Sequence, residues 1–369
     1  MLFASSENDA NLFYAVRFIV PDPFLFFQIQ NKKFIIMSDL ELARAQKQAQ
    51  VDEVLSYSKL VQSIQKSGLA RPRVADVAAF FLKKMGVTQV HVPSNFNLGL
   101  AQELQLRKIQ VNVRPDPFFE ERAYKVQDEI KKITQTLRWT EEAIKKMEGI
   151  LRKSKIQGKF IIYQGQKVTS EFLKRVINVA LMEHNCVGSH TIVASGDQGC
   201  DPHCEGTGLV WAHQSLVVDV FPRSGETMYF ADITRTFVKG HASSQLKQQY
   251  QVVLTGQQKG ISLIKAGVNG KHVHSSIQTW FEQQGFHSEK RKGVPVGFFH
   301  GTGHGLGLDV HEFPRINSED HWLKEGEVVT VEPGLYYPKI GAVRLEDVVV
   351  VTSAGNENLT QYPKQLEIA

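Results

Sequence analysis

The chain of 369 residues has little cysteine: Cys186, Cys200 and Cys204 are the only three. Three cysteines cannot build a disulfide framework in a chain this long, so they read as free thiols of a reducing compartment. No run of 18 apolar residues occurs. The apolar stretch from Leu12 to Ile29 is broken by Arg17, Pro21, Asp22 and Pro23, which argues against a membrane span. The first residues, MLFASSENDANLF, carry acidic groups where a secretory leader carries basic ones. Neither charge sign dominates: 43 Lys and Arg against 38 Asp and Glu leave +5, which does not call for a nucleic-acid partner. No GxSxG elbow, internal repeat or low-complexity tract is present. A cytoplasmic protein with neither nucleic-acid nor membrane partners is expected.

What is present is ordinary in bulk, at 42% hydrophobic and 22% charged residues, which excludes a wholly disordered chain. The length predicts two domains. Residues 1–122 alternate short strand patterns (Phe24–Gln28, Lys33–Met37, Gln89–Pro93) with helix patterns starting at Asp39, where Ser38 or Asp39 is the N-cap, and spanning Arg73–Met85. Val113–Phe118, with Pro115 and Pro117, reads as a linker. A long amphipathic helix is predicted over 123–153, with Val126, Ile130, Ile133, Leu137, Ala143, Ile144 and Met147 on its apolar face. After residue 190 strand patterns dominate: Thr191–Ala194, Ser215–Val220, Tyr229–Val238, Val328–Glu332 and Val343–Thr352. Two helices, about Ser244–Lys265 and Lys271–Gln284, interrupt them. This is the pattern of an α+β domain with a largely antiparallel sheet.

Histidine is distributed unevenly: of 13, only His91 precedes residue 184. Any chemistry that uses imidazole therefore belongs to the second half. There, Asp219 lies inside the apolar run LVVDV and Asp232 inside YFADI, on two strands of a predicted hairpin. A carboxylate in an apolar strand is costly unless it is paired or binds a cation. The segment GFFHGTGHGLGLDVHE puts His300, His304 and His311 among alternating glycines, a composition poor for helix and suited to backbone lying close to another element or a ligand. Glu332 ends the strand VVTVE before a Pro-Gly turn. Glu346 lies in the predicted strand GAVRLEDVVVVT, where Arg344, two residues earlier, could partner it on the same face. Two Asp, two Glu and at least one His form an oxygen-rich donor set suited to divalent cations such as Mn, Co, Zn or Fe. A His₃ zinc site would leave the four carboxylates unexplained. Cys200-Asp-Pro-His203-Cys204 is half a zinc motif without a second half.

These segments resemble the metallopeptidases of the methionine aminopeptidase, aminopeptidase P and prolidase family (family M24), which have the pita-bread fold. ADITRTF, HGTGHGLGLDVHE, VEPGLYY and VRLED occur in the family's order within residues 123–369. Residues 1–122 resemble the smaller N-terminal domain of the creatinase, prolidase and aminopeptidase P branch. The resemblance implies an α/β domain followed by a pita-bread catalytic domain. It implies two divalent ions, manganese favoured, held by Asp219, Asp232, His304, Glu332 and Glu346, with Asp232 and Glu346 bridging and Glu332 also the general base. By the same resemblance His203 and His300 are histidines on the substrate side, and His311 contacts the scissile carbonyl. Arg344 and Tyr336 orient the carboxylates or touch substrate. One departure stands out: the family spaces its aspartates eleven residues apart with D-x-G at the first, whereas here they are thirteen apart and Phe221 replaces the Gly. An even insertion keeps both on one face and leaves the loop as the part that differs.

The activity implied is exopeptidase cleavage of Xaa-Pro bonds in a proline-containing peptide, by a homodimer, with aminopeptidase favoured over dipeptidase. A creatinase-like hydrolase of a non-peptide C–N bond and a catalytically dead binding module of the same fold are the rival readings.

Overall fold

The computed structural model describes residues 1–369 and divides into two compact units, Met1–Arg122 and Ala123–Ala369. In the first, the strands Leu2–Ala4, Phe24–Ile29, Lys32–Met37 and Glu53–Ser56 form one sheet in that order. Its first two pairings are antiparallel and its last is parallel. The strands Gln89–Val92 and Gln110–Val113 pair in parallel. Phenylalanine fills the core: Phe27, Phe34 and Phe81 are buried, with ring centroids 4.9 and 5.5 Å apart. The helix Asp39–Gln48 begins where the sequence suggested, but Ser38 makes no capping bond. The Asp39 carboxylate instead accepts the hydroxyls of Ser56 and Ser58, at 2.7 and 2.6 Å. The predicted linker does not hang free, because Phe118 is buried in the core with Leu12 and Val16.

The second unit opens with the helix Gln127–Lys153, whose inner face (Ile133, Leu137, Ala143, Ile144, Met147 and Leu151) is fully buried. Each of the larger side chains on that face contributes roughly 1.5–3 kcal/mol by leaving water. Val126 is not part of the face; it sits at the N-cap and is 62% exposed. The helices Ser244–Leu263 and Gly270–Gln283 pack on each other and share a core with the hairpin Gly334–Tyr337/Gly341–Arg344. One sheet has the order Ile192–Ser195, Leu216–Val220, Ile233–Lys239, Glu367–Ile368. The other has the order Glu312–Ile316, Gly303–Gly305, Val328–Val331, Asp347–Val351, Asn356–Asn358. All pairings in these two sheets are antiparallel except Ile233–Lys239 with Glu367–Ile368. No helix is long and apolar enough to cross a membrane.

Two predicted strands are interrupted, both at acidic residues. Tyr229–Val238 becomes regular only at Ile233, so Asp232 stands just off the ladder. The run Val343–Thr352 splits into Gly341–Arg344 and Asp347–Val351, leaving Glu346 between two strands rather than inside one. The break is held by hydrogen bonds that replace the ladder: Glu346 N–H donates to Thr234 O at 3.1 Å, and Arg235 Nη1 donates to Glu346 O at 2.6 Å.

Candidate metal centre

Asp219 occupies the middle of a cross-strand row. It pairs with Ile192 on one side and Thr234 on the other, so all three present side chains to the same face. Residues 232 and 234 share parity, and Asp232 joins that face despite the long loop after Asp219. Part of the loop is itself ordered, with Arg223–Ser224 pairing with Cys186–Val187. Across the cavity, His304 is the central residue of Gly303–Gly305. A Cβ on Gly303 would collide with the Thr330 carbonyl, so glycine is what lets this strand lie against Val328–Val331, whose end presents Glu332. Glu332 N–H is fixed by Thr302 O at 2.7 Å.

Nine of the ten residues expected from sequence line one cavity of about 700 Å³: His203, Asp219, Asp232, His300, His304, His311, Glu332, Arg344 and Glu346. Tyr336 is buried behind it, its hydroxyl 2.8 Å from His300 Nε2. One candidate ligand atom each from Asp232, His304 and Glu346 lies within 4.8 Å of the other two. His304 Nε2 stands 3.4 Å from Glu332 Oε1 and 3.7 Å from Asp232 Oδ2.

Arg344 does not partner Glu346, as the sequence spacing allowed. Its Nη2 donates to Asp219 Oδ2 at 2.7 Å, and Nη1 donates to the Tyr336 hydroxyl at 3.2 Å. Because the strand breaks at Leu345, Glu346 turns toward Thr234, whose hydroxyl donates to Glu346 Oε2 at 2.9 Å. The Tyr336 hydroxyl, accepting from Arg344, is left to donate to His300 Nε2, while His300 Nδ1 donates to Gly301 O at 2.7 Å. Burial brings the His300 and His304 imidazoles down to about 3 and also lowers His311. All three are therefore neutral at physiological pH.

The acids are pushed the other way. Burial and then the neighbouring carboxylates raise Asp232 well above its usual range, and burial followed by Glu346 does the same to Glu332. Burial and Asp219 raise Glu346 to about 8. Two buried carboxylate oxygens, Asp219 Oδ1 and Glu346 Oε1, have no hydrogen-bond partner. Such groups are rare in folded proteins and costly. Crowded carboxylates, a neutral imidazole and two orphaned oxygens fit a divalent cation, which would satisfy the oxygens and offset the repulsion.

Sequence reading missed two groups. Thr234, inside ITRTF, bridges Glu346 and Arg344, its Oγ1 accepting from Arg344 Nε at 3.3 Å. Arg315 lines the cavity, and its charge acts on Glu332. A lone Arg in EFPRI, four residues past His311, was its signal. All three thiols are free, and burial pushes Cys186 to about 11 and Cys200 to about 12.

The sequence profile of metallopeptidase family M24 matches residues 131–353. An Xaa-Pro dipeptidase of Pyrococcus horikoshii is 36% identical over 177 residues, 48% of each chain; the chain thus spans about half the length of that relative. Among solved structures, an Xaa-Pro dipeptidase from Bacillus anthracis superposes with a TM-score of 0.83 at 24% identity, covering 98% of this chain and 93% of that one. An X-Pro aminopeptidase from Thermotoga maritima superposes with a TM-score of 0.81 at 23% identity, covering 100% and 97%. The fold is the pita-bread fold of these proteins.

Proposed function

Because the chain belongs to metallopeptidase family M24, we propose that it is a metal-dependent exopeptidase of Xaa-Pro peptides. The observation that carries this reading is the convergence of four carboxylates and His304 in one cavity, with two carboxylate oxygens left unpaired. Asp219, Asp232, His304, Glu332 and Glu346 would hold two divalent ions, manganese favoured. Bound divalent ions supply the Lewis acidity that brings the ionisation of water near neutral pH. Glu332, the most exposed of the acids at 20%, takes the proton from the attacking water and returns it to the leaving imino nitrogen. The neutral His311 ring stands edge-on to His304 with centroids 4.4 Å apart. It donates to the scissile carbonyl oxygen as negative charge develops there. Arg344 orients Asp219 through its 2.7 Å hydrogen bond, and Tyr336 holds His300 at the cavity wall, with the exposed His203 of the same cavity as a substrate contact. Residues 1–122 serve as the smaller domain of the creatinase and prolidase branch, and the active form is a homodimer.

Within this class the substrate is a dipeptide, ahead of the longer peptides of an aminopeptidase. Arg315 supports this, since a guanidinium that lines the cavity without a side-chain hydrogen bond matches a free α-carboxylate. The names of the Pyrococcus horikoshii and Bacillus anthracis relatives point the same way. The test is hydrolysis of Xaa-Pro dipeptides against Xaa-Pro-Xaa tripeptides in manganese, cobalt and zinc, with EDTA as control. Dipeptides are cleaved faster and EDTA abolishes turnover. Undiminished activity after complete metal removal sinks the metallopeptidase reading, and a preference for tripeptides restores aminopeptidase. Replacing Arg315 by Gln raises the KM for the dipeptide about tenfold, the scale of one charge-assisted bond, and narrows the dipeptide-to-tripeptide ratio.

A further inference from the structure

Lys125 stands at the entrance to the second unit, and its side chain is 2% exposed. A buried ammonium needs a counter-charge, and Glu312, 9% exposed, forms an ion pair with its Nζ. The backbone of Lys125 is fixed as well: its N–H donates to Gly326 O at 2.7 Å, and Tyr124 bridges Glu327. Glu312 directly follows His311. It opens the strand Glu312–Ile316, paired with Gly305, just after the tight excursion from the strand Gly303–Gly305, where the ladder register shifts after His304. The excursion folds over the ion pair. A Cβ on Gly307 would lie 2.5 Å from Glu312 Oε1 and 3.0 Å from Lys125 Cε. Gly307 O accepts Phe230 N–H at 2.8 Å, and Gly307 N–H donates to Asp309 O at 3.1 Å. The pair is thus wedged under the turn that carries His311 into the cavity.

We infer that Lys125 is a positioning residue for His311, acting through Glu312. The inference rests on the peptidase reading for the role of His311, but its geometry stands without it. Removing only the ammonium, Lys125→Met, takes away the buried ion-pair partner of Glu312, which destabilises the protein whatever its function. The informative variant is Lys125→Met/Glu312→Met, which removes both charges and keeps two unbranched side chains of similar length. A merely structural pair predicts that stability and activity return together. A positioning pair predicts that the melting temperature returns while kcat does not.

The experiment compares wild type, K125M and K125M/E312M in full-length protein. On an Xaa-Pro dipeptide with manganese, K125M loses about thirtyfold in kcat, the order seen when a reacting group is misplaced, with KM changed less than threefold. The double variant regains the wild-type melting temperature and stays within threefold of the K125M kcat. In parallel, nitrogen-15 histidine spectra of the EDTA-treated proteins, with His311 assigned from His311→Gln, show its ring resonances displaced in the double variant. Wild-type kcat in the double variant, or a His311 signal that superposes on wild type, overturns the inference. If wild type cleaves no Xaa-Pro peptide, the peptidase reading fails instead, and the spectra alone decide the positioning.

Discussion

Glu346 and Asp347 are neighbours in the chain, both buried, and they live in opposite electrostatic regions. Burial alone would push the Asp347 carboxyl up, but Arg235 and Lys364 outweigh it and hold it below the usual carboxylate range. Arg235 Nη2 donates to it at 3.0 Å, Asn358 Nδ2 at 2.8 Å, and Lys364 forms an ion pair with it. Glu346 faces three other acids across the cavity, has one hydrogen bond from Thr234 and one orphaned oxygen, and is raised to about 8. The difference separates two uses of a buried acid. One is neutralised by the protein's own cations and holds the C-terminal segment in place. The other is left unneutralised, a cost the fold tolerates where an outside cation can be taken up.

The largest effect expected on the Glu346 side of this contrast is catalytic. Glu332→Gln keeps the shape of the site but removes its proton acceptor, and kcat on an Xaa-Pro dipeptide falls about 10³–10⁴-fold, the upper range for a general base. Steady-state kinetics with saturating manganese reads this directly; a loss under tenfold removes Glu332 from the role. On the other side the largest effect is in stability. Asp347→Asn strips a fully buried Arg235 of its counter-charge and costs about 3–5 kcal/mol, while Glu346→Gln, measured above pH 8 where the raised Glu346 carboxyl is ionised, removes a charge that repels its neighbours and raises the metal-free melting temperature. Calorimetry in EDTA on the two variants contrasts them. Equal destabilisation by both would erase the distinction.

The same contrast has a pH signature. The Glu346 carboxyl moves from an ordinary 4.5 to about 8 in the folded chain, and Asp232 and Glu332 move in the same direction. A carboxylate raised by folding contributes stability that is full below its unfolded value and is lost as pH rises through the folded one. The metal-free protein therefore loses stability between pH 4.5 and 8, at about 1.4 kcal/mol per pH unit for each proton released on unfolding. Divalent ions, which bind the ionised acids, remove or invert that slope. Melting curves from pH 5 to 9 with EDTA and with manganese test it; a metal-free slope that rises with pH contradicts the raised carboxyls.

How legible this was in the sequence depended on what each signal measured. Asp219, Asp232 and Glu332 stood out because a carboxylate in an apolar strand pattern is costly, and that cost is visible one residue at a time. His304 stood out through its glycines, and the close approach of Gly303 to Thr330 is the packing they permit. Both readings use local chemistry. The partner of Glu346 was not legible, because period-two alternation assumes an unbroken strand. The break at Leu345 and Glu346 is made by Arg235, 111 residues away, and a hydrogen bond at that separation leaves no trace in local pattern. Arg315 and Thr234 were missed for a related reason. An Arg or Thr in a strand is unremarkable until the cavity shows that one lines it and the other ties an acid, Glu346, to Arg344.

Thr234 gives the smallest effect and the finest test of the comparison. Its hydroxyl donates to Glu346 Oε2 and accepts from Arg344 Nε, so it is the one neutral group that ties the unneutralised acid to an arginine. If Glu346 were held as Asp347 is, deleting that hydroxyl would cost stability. If Glu346 is held for a cation, the hydroxyl serves orientation, and its loss shows in metal binding, where groups behind a ligand are worth about 10- to 100-fold. Thr234→Val preserves shape and β-branching. We expect manganese affinity by calorimetric titration to fall about tenfold, with the metal-free melting temperature within about two degrees of wild type, since the hydroxyl's net hydrogen bond is worth only about 1 kcal/mol. Unchanged affinity with a lowered melting temperature would place Thr234, and with it Glu346, among the structural pairs.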